Sequence, residues 1–223
     1  MRTGRRILCA ILLMATLALP AASDVIFDNG GPDQGYIWFS DPSYALYRVA
    51  EDFVLAPGAN VITDIHWWGS YISYLVPPEG DDFTITIYDT SPAGSVPGSV
   101  VYSDHVGAVS RVDPGLNGVG ELPIYAYSLL VDPITLAADT TYWLEIVNDT
   151  NGSMWGWSTA SYEGGSHGEY DGHWYREIAE LAFNLTNDGQ NDGQKGVVPE
   201  PASIALVGLG IAGLARRRFF KRG

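Results

Sequence analysis

Trp67 and Trp68 are neighbours, Trp155 and Trp157 are two apart, and Trp174 follows a glycine-rich stretch. Flat apolar rings with a polar rim suit the faces of sugars, and an exposed pair makes a glycan platform. The same rings also build cores and plug the ends of sandwiches. On a strand, Trp67 and Trp68 must point to opposite faces, so one of them is expected inside. Trp155 and Trp157 share a face if their segment is extended. All five are candidate glycan contacts.

Carboxylates come next. Asp28 and Asp33 bracket the turn-rich Asn29-Gly30-Gly31-Pro32. Hard cations take several oxygen ligands from such loops, so the two are candidate calcium ligands. Asx turns are the alternative use of the same residues. The stretch from His167 to His173 holds two histidines, Glu169 and Asp171. It lacks the helical spacing of a zinc site and reads as a polar loop. No nucleophile elbow, P-loop or dinucleotide fingerprint occurs. No catalytic residue is assigned, and the chain is expected not to be an enzyme.

Whatever these residues do, strands must position them. Phe83, Ile85 and Ile87 alternate with Thr84, Thr86 and Tyr88. Val61, Thr63, Ile65 and Trp67 alternate with Ile62, Asp64, His66 and Trp68. Thr141 to Val147 is rich in strand formers, and Leu181 to Leu185 alternates again. Turn signals such as Pro57-Gly58, Pro97-Gly98 and Asn151-Gly152 separate the runs. Residues 24–186 therefore read as one all-β domain, an antiparallel, jelly-roll-like β-sandwich. The apolar-free stretch at 187–197 reads as a flexible polar linker.

Charge is uneven. The net charge is −14, yet the basic residues gather at the ends. Between residues 24 and 199 the only basic residues are Arg48, Arg111, Arg176 and Lys195, against all but one of the 26 acidic residues. Such a body repels nucleic acid and anionic surfaces and attracts cations. The one cysteine, Cys9, lies in the N-terminal apolar segment, so the body has no disulfide.

Residues 1–23 run basic, apolar, then small, the order of a secretory signal removed by signal peptidase. At the other end, Pro199-Glu200-Pro201 precedes an apolar run over residues 202–215 and then Arg216-Arg217-Arg218. The run is about 21 Å long as a helix. That is short for a hydrocarbon core of about 30 Å, a gap narrowed by arginine stems reaching the interface. The arginine cluster should stay cytoplasmic, leaving the body outside.

Residues 198–223 resemble the PEP-CTERM sorting signal: Pro-Glu-Pro, a short transmembrane helix and a basic tail, in that order. The resemblance implies a bacterial protein handled by an exosortase, a membrane transpeptidase that removes the tail. It makes Pro199, Glu200, Pro201, Arg216, Arg217 and Arg218 residues that another enzyme reads. Such systems accompany exopolysaccharide production in Gram-negative envelopes. The body is similar to those of one group of PEP-CTERM proteins. The likeness is carried by Ala50-Glu51-Asp52-Phe53-Val54-Leu55, by Asp64 to Tyr71, by Tyr142-Trp143-Leu144 and by Trp155-Gly156-Trp157. It implies a β-sandwich and supplies no reaction. The expectation is an exported protein, anchored in transit through its C-terminus and then at the cell surface or outside, binding glycan or exopolysaccharide. A secreted glycan-active hydrolase and a purely structural matrix component are the rivals.

Overall fold

The computed structural model describes residues 24–45, 47–72, 81–92, 94–161, 165–170, 172–176 and 179–187. The signal, most of the linker and the sorting tail lie outside them. Among the described residues no helix is long and apolar enough to cross a membrane.

The fold is all-β. In chain order the strands are β1 (Asp24–Asp28), β2 (Ile37–Phe39), β3 (Arg48–Val54), β4 (Val61–Tyr71), β5 (Phe83–Thr90), β6 (Pro97–Gly107) and β7 (Arg111–Asn117). They continue as β8 (Pro123–Thr135), β9 (Thr141–Asn148), β10 (Trp155–Ser161), β11 (His167–Tyr170), β12 (His173–Arg176), β13 (Glu180–Leu181) and β14 (Phe183–Asn187). They form two antiparallel sheets. One has six strands in the order β12-β11-β3-β9-β5-β6. The other has eight and is organised around β4. Along one edge β4 pairs with β8 over nearly its whole length. Its other edge is shared between β14 and β10.

Alternation puts the apolar faces of both sheets against one core. Phe83, Ile85 and Ile87 are wholly buried, as are Leu144 and Ile146 on the neighbouring β9. In β4 the pairing slips between Ile62 and Asp64. There two steps along β4 are matched by four along β8, and the alternation of β4 is reset across the irregularity. Ile62, Ile65 and Trp67 therefore all reach the core, whereas plain alternation sets Ile62 opposite Ile65 and Trp67.

Rings fill the middle. Trp67 stacks on Tyr127 with centroids 5.3 Å apart and planes 6° from parallel. Phe83 meets Trp67, Tyr127 and Trp155 edge-on, at 5.3, 5.0 and 5.3 Å. Such pairs are worth about 0.5–1.5 kcal/mol each beyond the area they bury. One end of the core is closed by a polar knot. Asp81 accepts from Arg111 Nη1 at 2.6 Å and from Asn148 Nδ2 at 2.9 Å, and the Tyr71 hydroxyl also donates to it.

One acid lies inside the core. Val49, Glu51 and Phe53 share the inner face of β3, and Glu51 is wholly buried. Its Oε2 accepts from Leu181 N–H at 2.7 Å. Burial, followed by the charge of Glu180, pushes the carboxyl up to about 10 from 4.5. It is therefore neutral at ordinary pH, with the Glu180 carboxylate as its charged neighbour. Between those two pH values the folded chain holds a proton that the unfolded chain has lost. The contribution is complete below about pH 4.5 and drains away as pH rises toward 10. Glu51→Gln keeps the hydrogen bond from Leu181 without the proton uptake. We predict that it raises stability at neutral pH by about 2 kcal/mol and flattens the fall in stability with pH. Denaturant unfolding across the pH range checks this; an unchanged slope in the variant would contradict it.

Candidate functional site

The six-stranded sheet rolls over its own outer face. At about 4.8 Å per strand, side chains on β12 and β5 in a flat sheet would stand about 19 Å apart. Yet the rings of Trp174 on β12 and Tyr88 on β5 lie 5.9 Å apart, edge to face. The β11–β12 hairpin thus curls back toward β5. It turns at Gly172, whose φ of 79° is the left-handed conformation that glycine adopts without cost. Under the roll, Ala50, Tyr88, Trp143 and Trp174 make a small apolar layer.

Beside that layer is a cavity of about 670 Å³, lined by Arg48, Tyr88, Ser103, Glu145, Glu169 and Gly172 among others. Strand register accounts for its floor. Leu144 and Ile146 point inward, so Glu145 between them must point out. Ala50, Glu145, Thr86 and Ser103 are successive cross-strand partners in one row. Arg48 is two residues along β3 from Ala50, so it lies on the same face, diagonal to Glu145.

Three charges meet there. Arg48 binds Glu169 Oε2 through Nε at 3.0 Å and Nη2 at 2.9 Å, and its Nη1 is 3.4 Å from Glu145 Oε1. The Tyr88 hydroxyl donates to Glu145 Oε2 at 2.9 Å. Glu169 Oε1 accepts from Gly172 N–H at 2.5 Å, which ties the hairpin turn to the cluster. Glu145 is only 2% exposed. Burial raises its pKa, opposed by the positive charge of Arg48 and by the Tyr88 and Thr86 hydroxyls. Burial and the charge of Glu145 raise that of Tyr88.

The residues singled out in the sequence are dispersed. Trp67, Trp155 and Trp157 are wholly buried. Trp155 and Trp157 do share a face, but that face is the core. The Trp157 indole N–H donates to Ala182 O at 2.9 Å. None of these three rings has a face left for a sugar, so the platform they were expected to offer is replaced by core packing. Trp68 is half-buried on the outer face of the eight-stranded sheet, beside a smaller hollow of about 260 Å³ with His66, Val112 and Asn184. Trp174 is half-buried on the other sheet. The two cannot form one platform.

Asp28 Oδ1 accepts from Gly30 N–H at 2.9 Å, and Asp33 Oδ1 from Gly35 N–H at 2.8 Å and from the Thr159 hydroxyl at 2.7 Å. Both therefore make Asx turns. Among the described residues no three His, Cys, Asp or Glu side chains gather in a metal-holding group. The stretch read as a polar loop, His167 to His173, is a hairpin. Pro199 to Pro201 and Arg216 to Arg218 lie outside the described residues.

A family model described as a domain of unknown function, DUF7901, matches residues 32–188. The chain belongs to that family. All the cluster residues of the rolled sheet fall within this DUF7901 match, whereas β1 precedes it. A second model, the PEP-CTERM protein-sorting motif, matches residues 197–218. That motif marks export, sorting to the cell envelope and processing by an exosortase. No curated protein matches the chain.

Arg48 and Glu145 were not singled out by motif, and Glu169 was named only within the polar stretch from His167 to His173. Two signals point to them in retrospect. Arg48 is one of only four basic residues in an acidic body, and Glu145 is the lone charge in the apolar run Thr141 to Val147. Removing the guanidinium leaves Glu145 buried without its counter-ion. We predict that Arg48→Ala costs about 2 kcal/mol, below the 3–5 of a fully enclosed pair because Arg48 is itself partly exposed. In a Glu145→Gln background the same change should cost much less. A double-mutant cycle by denaturant unfolding measures the difference, and a coupling near zero would contradict the ion-pair account.

Proposed function

We propose that the protein is a non-enzymatic glycan-binding module of the bacterial envelope, built as a jelly-roll sandwich. Signal peptidase removes residues 1–23 on export. The apolar run at 202–215 holds the precursor in the inner membrane until an exosortase cuts at the Pro199-Glu200-Pro201 tail. The body then remains at the cell surface or outside, in contact with exopolysaccharide.

One observation supports this reading best. The rolled sheet carries an open hollow whose floor combines hydroxyls, a guanidinium and carboxylates, with the half-buried Trp174 ring packed on Tyr88 nearby. Polar groups fixed around an aromatic edge are what a sugar ring needs: hydrogen bonds for its hydroxyls and a flat surface for its C–H face. The acidic body favours neutral or cationic polymers over polyanionic ones.

Hydrolysis is the second reading, favoured by the convergence of Glu145 and Glu169 in one cavity. A glycosidase separates its two carboxyls by about 5–9.5 Å and leaves each free to reach the scissile bond. Here both acids are tied to a single guanidinium, and each has a further donor, Tyr88 or Gly172. That arrangement suits binding better than turnover.

A glycan array with the mature protein, run with and without calcium, tests the proposal. The expected result is saturable retention of one glycan class, no new reducing ends, and affinity several-fold lower in Trp174→Ala. Retention of no glycan under either condition would overturn it. Release of reducing ends that is lost in Glu145→Gln would replace it with the hydrolase reading.

A further inference from the structure

The cavity under the rolled sheet contains two carboxylates and one cation. Among its lining residues Arg48 is the only basic side chain. It makes its close contacts with Glu169, at 2.9 and 3.0 Å, and only a longer one with Glu145, at 3.4 Å. Glu145 Oε1 is buried and accepts no hydrogen bond. A buried acceptor left short of a donor is costly, and most such atoms find a partner in protein, water or ligand. The remaining lining groups near it are hydroxyls and apolar side chains: Thr84, Thr86, Tyr88, Ser103, Val100 and Val147. Burial raises the Glu145 pKa, and the Arg48 charge and the Tyr88 and Thr86 hydroxyls oppose it, so a further cation beside the carboxyl would favour its ionised form.

Resting on the glycan-binding reading above, we infer that the cavity selects an amine-bearing sugar, with the ligand's ammonium seated between Glu145 and Glu169 and its hydroxyls met by Thr86, Tyr88 and Ser103. An ammonium supplies the two things the site lacks, a second positive charge and a donor for Glu145 Oε1. A neutral sugar hydroxyl supplies only the donor. A carboxylated or sulfated sugar supplies neither and meets two like charges. The ligand class is therefore a de-N-acetylated hexosamine in an oligomer or polymer, as opposed to a uronate or a neutral glucan. Such a ligand also suits the acidic body, which draws polycations in without choosing among them. Selectivity must come from the cavity.

Calorimetric titration of the mature protein at neutral pH separates these effects. The probes are a short glucosamine oligomer, its fully N-acetylated counterpart and a glucose oligomer of equal length. The amine oligomer should bind about tenfold or more tightly than the acetylated one, since a charge-assisted contact is worth at least that factor. Glu145→Gln, which removes the charge at nearly constant shape, should erase the preference for the amine oligomer over the acetylated one. Equal affinities for the amine and acetylated oligomers in the unaltered protein would overturn the amine inference while leaving glycan binding intact. A preference that persists in Glu145→Gln would assign it to surface charge and overturn the inference in the same way. Binding of none of the three would overturn the inference alone; the glycan-binding reading falls only if the array retains no glycan.

Discussion

The Trp155 indole lies against the bare backbone of Gly69, so close that a methyl group there would meet ring carbon Cζ2 at 2.4 Å. That contact lets β10 pair with β4 while its tryptophan still turns into the core, where it meets Phe83 and, through Phe83, Trp67 and Tyr127. The body has no disulfide to hold its sheets together, since its one cysteine precedes it. Ring packing must supply the closure instead. Each buried ring removes roughly 150–250 Å² from water, about 4–6 kcal/mol of transfer free energy. This aromatic cluster is thus the main restraint on how the sheets face each other.

Once the rings are committed inward, the outer faces are left to other residues, and the two faces differ. The eight-stranded sheet presents Trp68 and His66 over a small hollow. The six-stranded sheet curls, because the β11–β12 hairpin is pinned twice: Trp174 packs on Tyr88, and Glu169 holds both Arg48 and the Gly172 amide. Curvature gives a hollow, and the pinning charges become its floor. The same residues that shape the cavity thus set its chemistry. The buried Glu51 faces away from that cavity: it sits on the inner face of the same β3 strand that offers Arg48 outward, and its Oε2 accepts from the Leu181 amide.

Local pattern foretold much of the fold. Strict alternation in Phe83 to Tyr88 named the buried face of β5, and proline and glycine pairs marked the turns. The sorting tail was legible because it is a linear signal that another enzyme must recognise. Other features depend on pairing between distant segments, which periodicity does not encode. The bulge near Thr63 exists because β4 and β8 pair with a slip, so a pattern read along β4 alone misplaced Ile62. Tryptophan suits a core and a sugar platform equally, so Trp67, Trp155 and Trp157 could not be placed by residue type. The cluster itself joins β3, β9 and β11, three strands far apart in the chain that only their pairing in the sheet makes neighbours.

The account turns on a division among the seven tryptophans: 67, 155 and 157 hold the core, and 174 packs on Tyr88, which lines the site. Indole N–H resonances of the uniformly labelled mature protein, assigned by single Trp→Phe substitutions and followed during ligand titration, measure this directly. The Trp174 resonance should shift with ligand, while those of Trp67, Trp155 and Trp157 stay fixed and exchange slowly with deuterium. Rapid exchange at those three, or ligand shifts centred on them with Trp174 unmoved, would contradict both the packing and the location of the site.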